Sequence, residues 1–172
     1  TLMVYRNKKP NDIHEGKWNG LGGKFEAGET PEECIRREVR EEAGLVIRNP
    51  RLHGLLMFPK FKGNDWYVFV FTATEFTGEL SESSPEGRLE WVEDDKLTSL
   101  NLWESDKIFF PWLETGIHKL GTFGPTKPVL FRTDAPLLTT NLLNEPLLPT
   151  KRLLPMNQRA VGLASRTSLD FA

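Results

Sequence analysis

Apolar and polar positions along much of the chain alternate with the period of a β-strand. The apolar run 2–5 predicts a first strand, and a polar segment rich in turn residues follows it. Aromatic and β-branched residues at 52–58 and 66–76 flank a short glycine-containing turn, a pattern typical of a hairpin. A further short strand is predicted at 89–92. The apolar spacing at 105–113 predicts a final amphipathic helix.

One helix is predicted by signals at both of its ends. Thr30 is a good N-cap, a proline occupies the first helical position, and Glu33 completes a capping box with Thr30. Ile35 and Val39 are spaced to form a buried stripe, and Gly44 is a natural stop. The period therefore changes from strand to helix and back within the first third of the chain.

Three carboxylates, Glu38, Glu41 and Glu42, share one face of this helix, because residues three and four apart are neighbours. Like charges at this spacing repel one another unless a cation lies among them. They also fall towards the helix C-terminus, where the helix dipole disfavours anions. The glycine-rich segment 17–26 precedes the helix and lets backbone approach a ligand closely. The sequence therefore predicts a divalent metal site here.

Length and composition indicate one soluble domain. The 172 residues suffice for a hydrophobic core, and a net charge of −2 with a pI of about 6.0 provides no basic field for a nucleic acid polymer. Cys34 is the only cysteine, which excludes an internal disulfide and a cysteine-rich zinc site. No apolar run approaches about 18 residues, so no membrane segment is predicted. We expect a cytoplasmic protein, a monomer, with a small-molecule partner.

The pattern changes after residue 123. Leucines recur in the segment 124–172 without a sustained helical or strand period. Prolines that would break a long helix stand at Pro136, Pro146, Pro149 and Pro155. We therefore expect one domain at 1–123 and a Leu/Pro-rich tail of unknown structure at 124–172.

Residues 23–45 follow a single spaced pattern: glycine, five residues, glutamate, seven residues, Arg-Glu, an aliphatic residue, one residue, Glu-Glu, one residue, glycine, an aliphatic residue. The positions that meet it are Gly23, Glu29, Arg37, Glu38, Val39, Glu41, Glu42, Gly44 and Leu45. If each fixed residue occurred by chance at about 7%, seven together would arise on the order of once in 10⁸ start positions. This pattern is similar to the Nudix box, and the chain resembles the Nudix hydrolases.

Within that family the chain resembles the MutT-type enzymes that hydrolyse oxidised purine nucleoside triphosphates such as 8-oxo-dGTP. The resemblance rests on the segments KWNGLGGKFEAGET, LLMFPKF, LEWV and LWESDKIFFPWL. It implies an α/β fold of the α+β sandwich kind, with a mixed sheet between helices. Relatives begin with a strand that has no counterpart before Leu2. The implied reaction is hydrolysis to a monophosphate and pyrophosphate with Mg²⁺, or Mn²⁺ as an alternative ion.

The resemblance also implies roles for individual residues. Catalytic carboxylates are expected at Glu38, Glu41 and Glu42, with Glu38 either a metal ligand or a general base. Further metal ligands are expected from the carbonyl of Gly22 and from Glu86. Structural roles are expected for Gly23, Glu29, Arg37 and Gly44, with Glu29 and Arg37 paired to brace the loop against the helix. Substrate contacts are expected from Asn19, Lys24, Phe58, Trp103 and Asp106.

Other interpretations remain open at this stage. One branch of relatives carries two adjacent acids where this chain has Ser105 and Asp106, so the base preference is open. Another diphosphate-containing substrate, such as ADP-ribose, is an alternative within the family. A different class of protein is also an alternative: a non-catalytic sensor with the Nudix fold that binds a nucleotide. Trp66 is most simply a packing residue, and the three histidines show no ligand spacing.

Overall fold

The structure is a computed structural model that describes residues 1–114, 119–123, 129–132 and 160–166. Its strands are β1 (Leu2–Arg6), β2 (Trp18–Asn19), β3 (Leu21–Lys24), β4 (Val46–Arg48), β5 (Arg51–Phe61), β6 (Asn64–Ala73), β7 (Glu75–Thr77), β8 (Gly87–Trp91), β9 (Lys119–Thr122), β10 (Val129–Arg132) and β11 (Ala160–Arg166). Its α-helices are α1 (Pro31–Ala43) and α2 (Glu104–Phe109), and 3-10 helices span Asp94–Ser99 and Phe110–Glu114.

Within the described part of the chain, nine strands form one mixed sheet. Its order is β10-β9-β5-β6-β11-β1-β2, with β3 also paired to β11 and β8 also paired to β1. β5 and β6 form the antiparallel hairpin that the sequence predicts. β4 and β7 form a separate two-stranded sheet.

Helix α1 begins and ends where the sequence predicts. The Thr30 side chain accepts a hydrogen bond from the backbone of Glu33, and the Glu33 side chain accepts one from the backbone of Thr30. Gly44 ends the helix in the left-handed region with φ of 73°, a conformation that glycine adopts without steric cost. These caps fix the axial position of the carboxylates on the helix.

The sheet lies between helices, with a hydrophobic core on each face. Ile35 and Val39 of α1 pack in one core with Phe71 of β6. Val70, the preceding residue on β6, belongs to the other core together with Phe109 of α2. Adjacent strand residues alternate between faces, so β6 contributes to both cores. This arrangement confirms the predicted mixed sheet between helices.

The last helix is shorter than the sequence predicts. α2 ends at Phe109, and the chain continues as a 3-10 helix through Glu114. Pro111 has no backbone N–H to donate to the preceding turn, so a regular α-helix cannot continue through it. None of the helices in the ranges described is long and apolar enough to cross a membrane.

In the segment 124–172, for which the leucine pattern predicts no element, the described residues form strands β10 and β11. β11 pairs antiparallel with β6 and parallel with β3, so Gly162 lies opposite both Phe71 and Leu21. A Cβ atom on Gly162 would lie 1.9 Å from Cδ1 of Ile35. β11 therefore lies within the sheet, directly beneath α1 and beside the strand that carries the glycine-rich segment.

Candidate active site

A cavity of about 800 Å³ opens where the glycine-rich segment, α1 and α2 meet. All five predicted substrate contacts line it: Asn19, Lys24, Phe58, Trp103 and Asp106. Five residues of the motif and of the predicted metal site also line this cavity: Gly22, Gly23, Arg37, Glu38 and Glu86. The remaining predicted site residues, Glu29, Glu41, Glu42 and Gly44, do not line this cavity.

Glu42 is the most buried of the three helix carboxylates. Its side chain lies beneath the glycine-rich segment, and the residue is only 5% exposed. Its Oε2 accepts a hydrogen bond of 2.9 Å from the backbone N–H of Gly22. Burial raises the pKa of Glu42 to about 7; the Gly22 hydrogen bond opposes this shift and the neighbouring Glu38 adds to it. A cation beside Glu42 would offset both the burial and the repulsion.

Glu38 and Glu41 differ in their surroundings although they share the helix face. Glu38 is packed against the glycine-rich segment, since a Cβ on Gly23 would lie 2.1 Å from its Oε1. Glu41 is largely exposed, with 58% of its side chain accessible. Both accept hydrogen bonds from Nη1 of Arg37, at 2.8 Å and 3.2 Å respectively. Among the residues described, no three His, Cys, Asp or Glu side chains are close enough to share one metal ion.

Arg37 joins the glycine-rich segment to the helix. Its Nε and Nη2 donate to the two carboxylate oxygens of Glu29 at 2.9 Å and 3.0 Å, and Nη2 also donates to the carbonyl of Lys24 at 3.1 Å. The hydrogen bond from Arg37 lowers the pKa of Glu29. The predicted Glu29–Arg37 pair is therefore confirmed, and the same guanidinium also holds Glu38.

Glu86, a predicted metal ligand, is paired with two cations. It forms ion pairs with Nη1 of Arg6 and with Nζ of Lys9, the latter at 2.9 Å. Nε of Arg6 also donates to Asp12 at 3.0 Å. Sequence reasoning missed Arg6. Its place at the cavity depends on the pairing of β1 with β8, where Arg6 lies opposite Gly87, and no local signal reports that pairing.

Aromatic rings form much of the remaining cavity wall. Phe58 stacks on Phe123 with a centroid distance of 5.4 Å and an interplanar angle of 22°. Trp103 donates from Nε1 to Nδ1 of His14 at 2.9 Å. Trp66 also lines the cavity, so its assignment to packing alone was incomplete. His14 was missed because it lies in a polar loop with no distinguishing spacing.

Three polar groups at this wall have few or no partners within the protein. Oδ1 of Asn19 and Nε1 of Trp66 are buried without a hydrogen-bond partner in the described ranges. Asp106 is 7% exposed and accepts one hydrogen bond, from Oγ of Ser105 at 3.1 Å. Burial raises the pKa of Asp106 to about 7. Buried polar groups are normally hydrogen-bonded, so these atoms are available to a bound molecule.

Comparison with known proteins defines the class of protein. A sequence profile of the NUDIX domain matches residues 1–113. The chain therefore belongs to the Nudix family, and its fold and motif are those of a hydrolase acting on phosphoric anhydrides. The predicted family is confirmed. Nudix hydrolases act on small-molecule nucleotides and generally use divalent metal ions.

Individual relatives make the class more specific. The chain is 38% identical over 122 residues to the oxidized purine nucleoside triphosphate hydrolase of Danio rerio, covering 70% of this chain and 77% of the relative. It is 37% identical over 112 residues to the protein of the same name from Mus musculus, covering 64% and 70%. The crystal structure of the mutator MutT protein from Bacillus halodurans superposes with a TM-score of 0.66 at 34% identity, covering 75% and 88% of the two chains.

Proposed function

We propose that this protein hydrolyses an oxidised purine nucleoside triphosphate, of the 8-oxo-dGTP type, to the monophosphate and pyrophosphate, and so cleanses the nucleotide pool. The observation that carries the proposal is one cavity that joins Glu38 of the Nudix helix to an aromatic slot, the part of the wall formed by Phe58, Trp103, Asn19 and Asp106. The names of the relatives from Danio rerio and Mus musculus support the same substrate class.

The donor atoms present fit a divalent cation in their chemistry, although no three acidic side chains of the described residues are close enough in this structure to share one ion. A buried carboxylate whose neighbour is another carboxylate is stabilised by a cation, and Glu42 beside Glu38 meets this description. Glu38, Glu41 and Glu42, with the carbonyl of Gly22 and Glu86, would hold Mg²⁺ after these side chains move towards one point. In this structure Arg37 holds Glu38 and Glu41, and two other cations pair with Glu86. Oxygen donors of this kind are what Mg²⁺ prefers, and it usually retains several waters and substrate phosphates as further ligands. When bound, the ion would neutralise the polyphosphate, polarise the attacked phosphorus and lower the pKa of a water.

The chain's own residues position the reacting groups. Arg37 fixes the Glu38 carboxylate against Gly23 through its 2.8 Å hydrogen bond. Glu38 then acts either as a ligand or as the base that accepts the proton of the attacking water. Two cations that line the cavity, Arg6 and Lys24, are suited to hold phosphate oxygens. Phosphoryl-type transfer depends mainly on such positioning and charge stabilisation.

The aromatic slot is suited to an oxidised purine. Oxidation of guanine at C8 adds a keto oxygen and places a proton on N7, so the base gains a donor where it had an acceptor. Asn19 offers an unpartnered acceptor, and Asp106, with a pKa of about 7, can accept or donate near neutral pH. Phe58 and Trp103 supply ring surfaces for stacking. A site that hydrogen-bonds a substrate group discriminates strongly against an analogue that lacks it.

Pyrophosphate release from 8-oxo-dGTP, dGTP and ADP-ribose, measured in parallel with Mg²⁺, tests the proposal. We expect 8-oxo-dGTP to be turned over with the highest kcat/KM. Equal turnover of dGTP would refute the cleansing role, and preference for ADP-ribose would identify a different substrate class. Nucleotide binding without hydrolysis would indicate a sensor.

Site variants connect the activity to the helix. Glu42→Gln should abolish metal-dependent hydrolysis. Glu32→Gln is the matched control, because Glu32 lies on the outer side of the same helix and pairs with Arg36. The site assignment is wrong if both variants retain full activity.

A further inference from the structure

His14 has a defined protonation pattern because of its contact with Trp103. The indole Nε1 of tryptophan can only donate a hydrogen bond. Its 2.9 Å contact with Nδ1 of His14 therefore requires Nδ1 to be the unprotonated acceptor, with the ring hydrogen on Nε2. Burial lowers the pKa of His14, which favours this neutral ring; Asp12 opposes the shift, and Arg6, Lys62 and Lys17 add to it.

The same nitrogen orients the amide of Asn19. Nδ2 of Asn19 lies 3.4 Å from Nδ1 of His14. Nδ1 has one lone pair, and the Trp103 indole takes it at the shorter distance, so Asn19 shares it only weakly. The amide atom that faces Nδ1 is still the donor Nδ2, because Oδ1 in that place would be repelled by the lone pair. Oδ1 is then left as the acceptor, and it is the buried Asn19 atom without a partner in the part of the chain described.

His14 also fixes the Trp103 ring in place. The two rings meet edge to face, with centroids 5.8 Å apart and planes at 84°. Nζ of Lys17 lies 4.6 Å from the centroid of the Trp103 ring. Trp103 is the N-cap residue of α2, while His14 belongs to the loop between β1 and β2. Their hydrogen bond thus joins two loops that both contribute to the cavity wall.

We propose that His14 is a positioning residue for base selection: through Nδ1 it sets both the plane of Trp103 and the direction of the Asn19 acceptor. The selected base is one that offers an N–H donor at the edge facing Asn19, as an oxidised purine does. This inference rests on the proposed function, but the geometry on which it depends is present without substrate.

A matched pair of variants tests the proposal. In His14→Asn, the side-chain Oδ1 occupies the same place in the bonding sequence as Nδ1 and keeps an acceptor, whereas His14→Leu removes it. With 8-oxo-dGTP, His14→Leu should raise KM about tenfold with kcat within about twofold, the size expected for the loss of one or two neutral hydrogen bonds. His14→Asn should stay within about threefold of the wild-type KM. Equal KM values for the wild type and both variants would overturn the inference.

A spectroscopic measurement on nucleotide-free protein keeps the two proposals separate. The ¹⁵N–¹H resonance of the Trp103 indole, assigned by its loss in Trp103→Phe, should move and exchange faster in His14→Leu but not in His14→Asn. If the wild type releases no pyrophosphate from any substrate, the proposed function fails, while an indole resonance unchanged in His14→Leu would overturn the positioning role.

In the Trp103→Phe background, His14→Leu should raise KM by less than it does alone. An undiminished effect there would also overturn the coupling.

Discussion

The backbone N–H of Gly22 donates to Oε2 of Glu42 at 2.9 Å, beneath the loop that enters helix α1. This contact ties the glycine-rich strand to the end of the helix. It provides one neutral hydrogen bond to a buried carboxylate, which compensates only part of the cost of burying a charge. The carboxylate therefore favours its protonated form until a cation is bound.

The free energy of unfolding should fall as pH rises from about 4.5 to 7 when divalent cations are absent. The folded-state pKa of Glu42 is about 7 against an ordinary 4.5, so the folded protein binds this proton more tightly than the unfolded chain does. The stabilisation is fully present below pH 4.5 and is lost through pH 7, with an order-of-magnitude size of about 3 kcal/mol. Asp106 adds a contribution of the same sign.

Urea unfolding with a chelator present, at pH 5 and pH 7.5, measures this slope. Glu42→Gln and Asp106→Asn should each remove a part of it, and Glu42→Gln should be more stable than the wild type at pH 7.5. Added Mg²⁺ should stabilise the wild type at pH 7.5 but not Glu42→Gln. A slope that is the same in all three proteins would contradict the prediction.

Gly23→Ala should reduce kcat by about 100-fold, since a displacement of about 1 Å in a catalytic group can cost that much. The new Cβ would lie 2.1 Å from Oε1 and 2.4 Å from Cδ of Glu38, so this carboxylate would have to move. Gly28→Asn is the matched control, because nothing lies within 4 Å of its Cβ and asparagine tolerates its φ of 82°. Steady-state kinetics of both variants would measure this difference in kcat. Equal kcat values would show that activity does not depend on the position of the Glu38 carboxylate.

Arg37→Lys should reduce activity more than its neighbour Arg36→Lys does. Lysine keeps the charge but cannot bind Glu29 with two parallel hydrogen bonds while also holding Glu38. A loss of about 2 kcal/mol, or roughly 30-fold in kcat/KM, is the size expected for charge-assisted bonds. Arg36 is also hydrogen-bonded to a carboxylate, that of Glu32, but does not line the cavity. Similar losses in both variants would point to a general effect on the helix.

Gly162→Ala and Ile35→Ala should show strong coupling in a double-mutant cycle. A Cβ on Gly162 would lie 1.9 Å from Cδ1 and 2.2 Å from Cγ1 of Ile35, so the alanine variant overpacks the core by about 1–3 kcal/mol. Removing the Ile35 side chain should relieve that cost, and the coupling energy measured by chemical denaturation should be of similar size. Additive effects would place β11 elsewhere than beneath α1.

The elements near the motif could be predicted because their determinants are local. The caps at Thr30 and Gly44 are set by residues within a few positions, and the structure has them where the sequence places them. The aromatic and β-branched run predicted at 66–76 is also a strand, but β6 spans Asn64–Ala73 and a separate β7 follows it. The Glu29–Arg37 pair followed from the motif in the same way. The end of α2 differed only because Pro111 interrupts the helix.

Features that depend on long-range pairing could not be predicted. Strand β11 lacks a distinctive sequence pattern, and its place is set by β3 and β6, which are remote in sequence. Arg6 and His14 reach the cavity only because strands and loops from distant parts of the chain meet there. Spacing in a single segment carries no information about such contacts.

The position of β11 also affects how the protein is made. Folding of a new chain proceeds as it leaves the ribosome, and contacts between remote segments form slowly. Helix α1 emerges early, but Ala160–Arg166 must be translated before β3 and β6 are joined through it. Until then, the nascent polypeptide contains the complete motif, but β3 and β6 are not yet connected by β11. Their unpaired edges are exposed, where chaperones can bind and aggregation can begin.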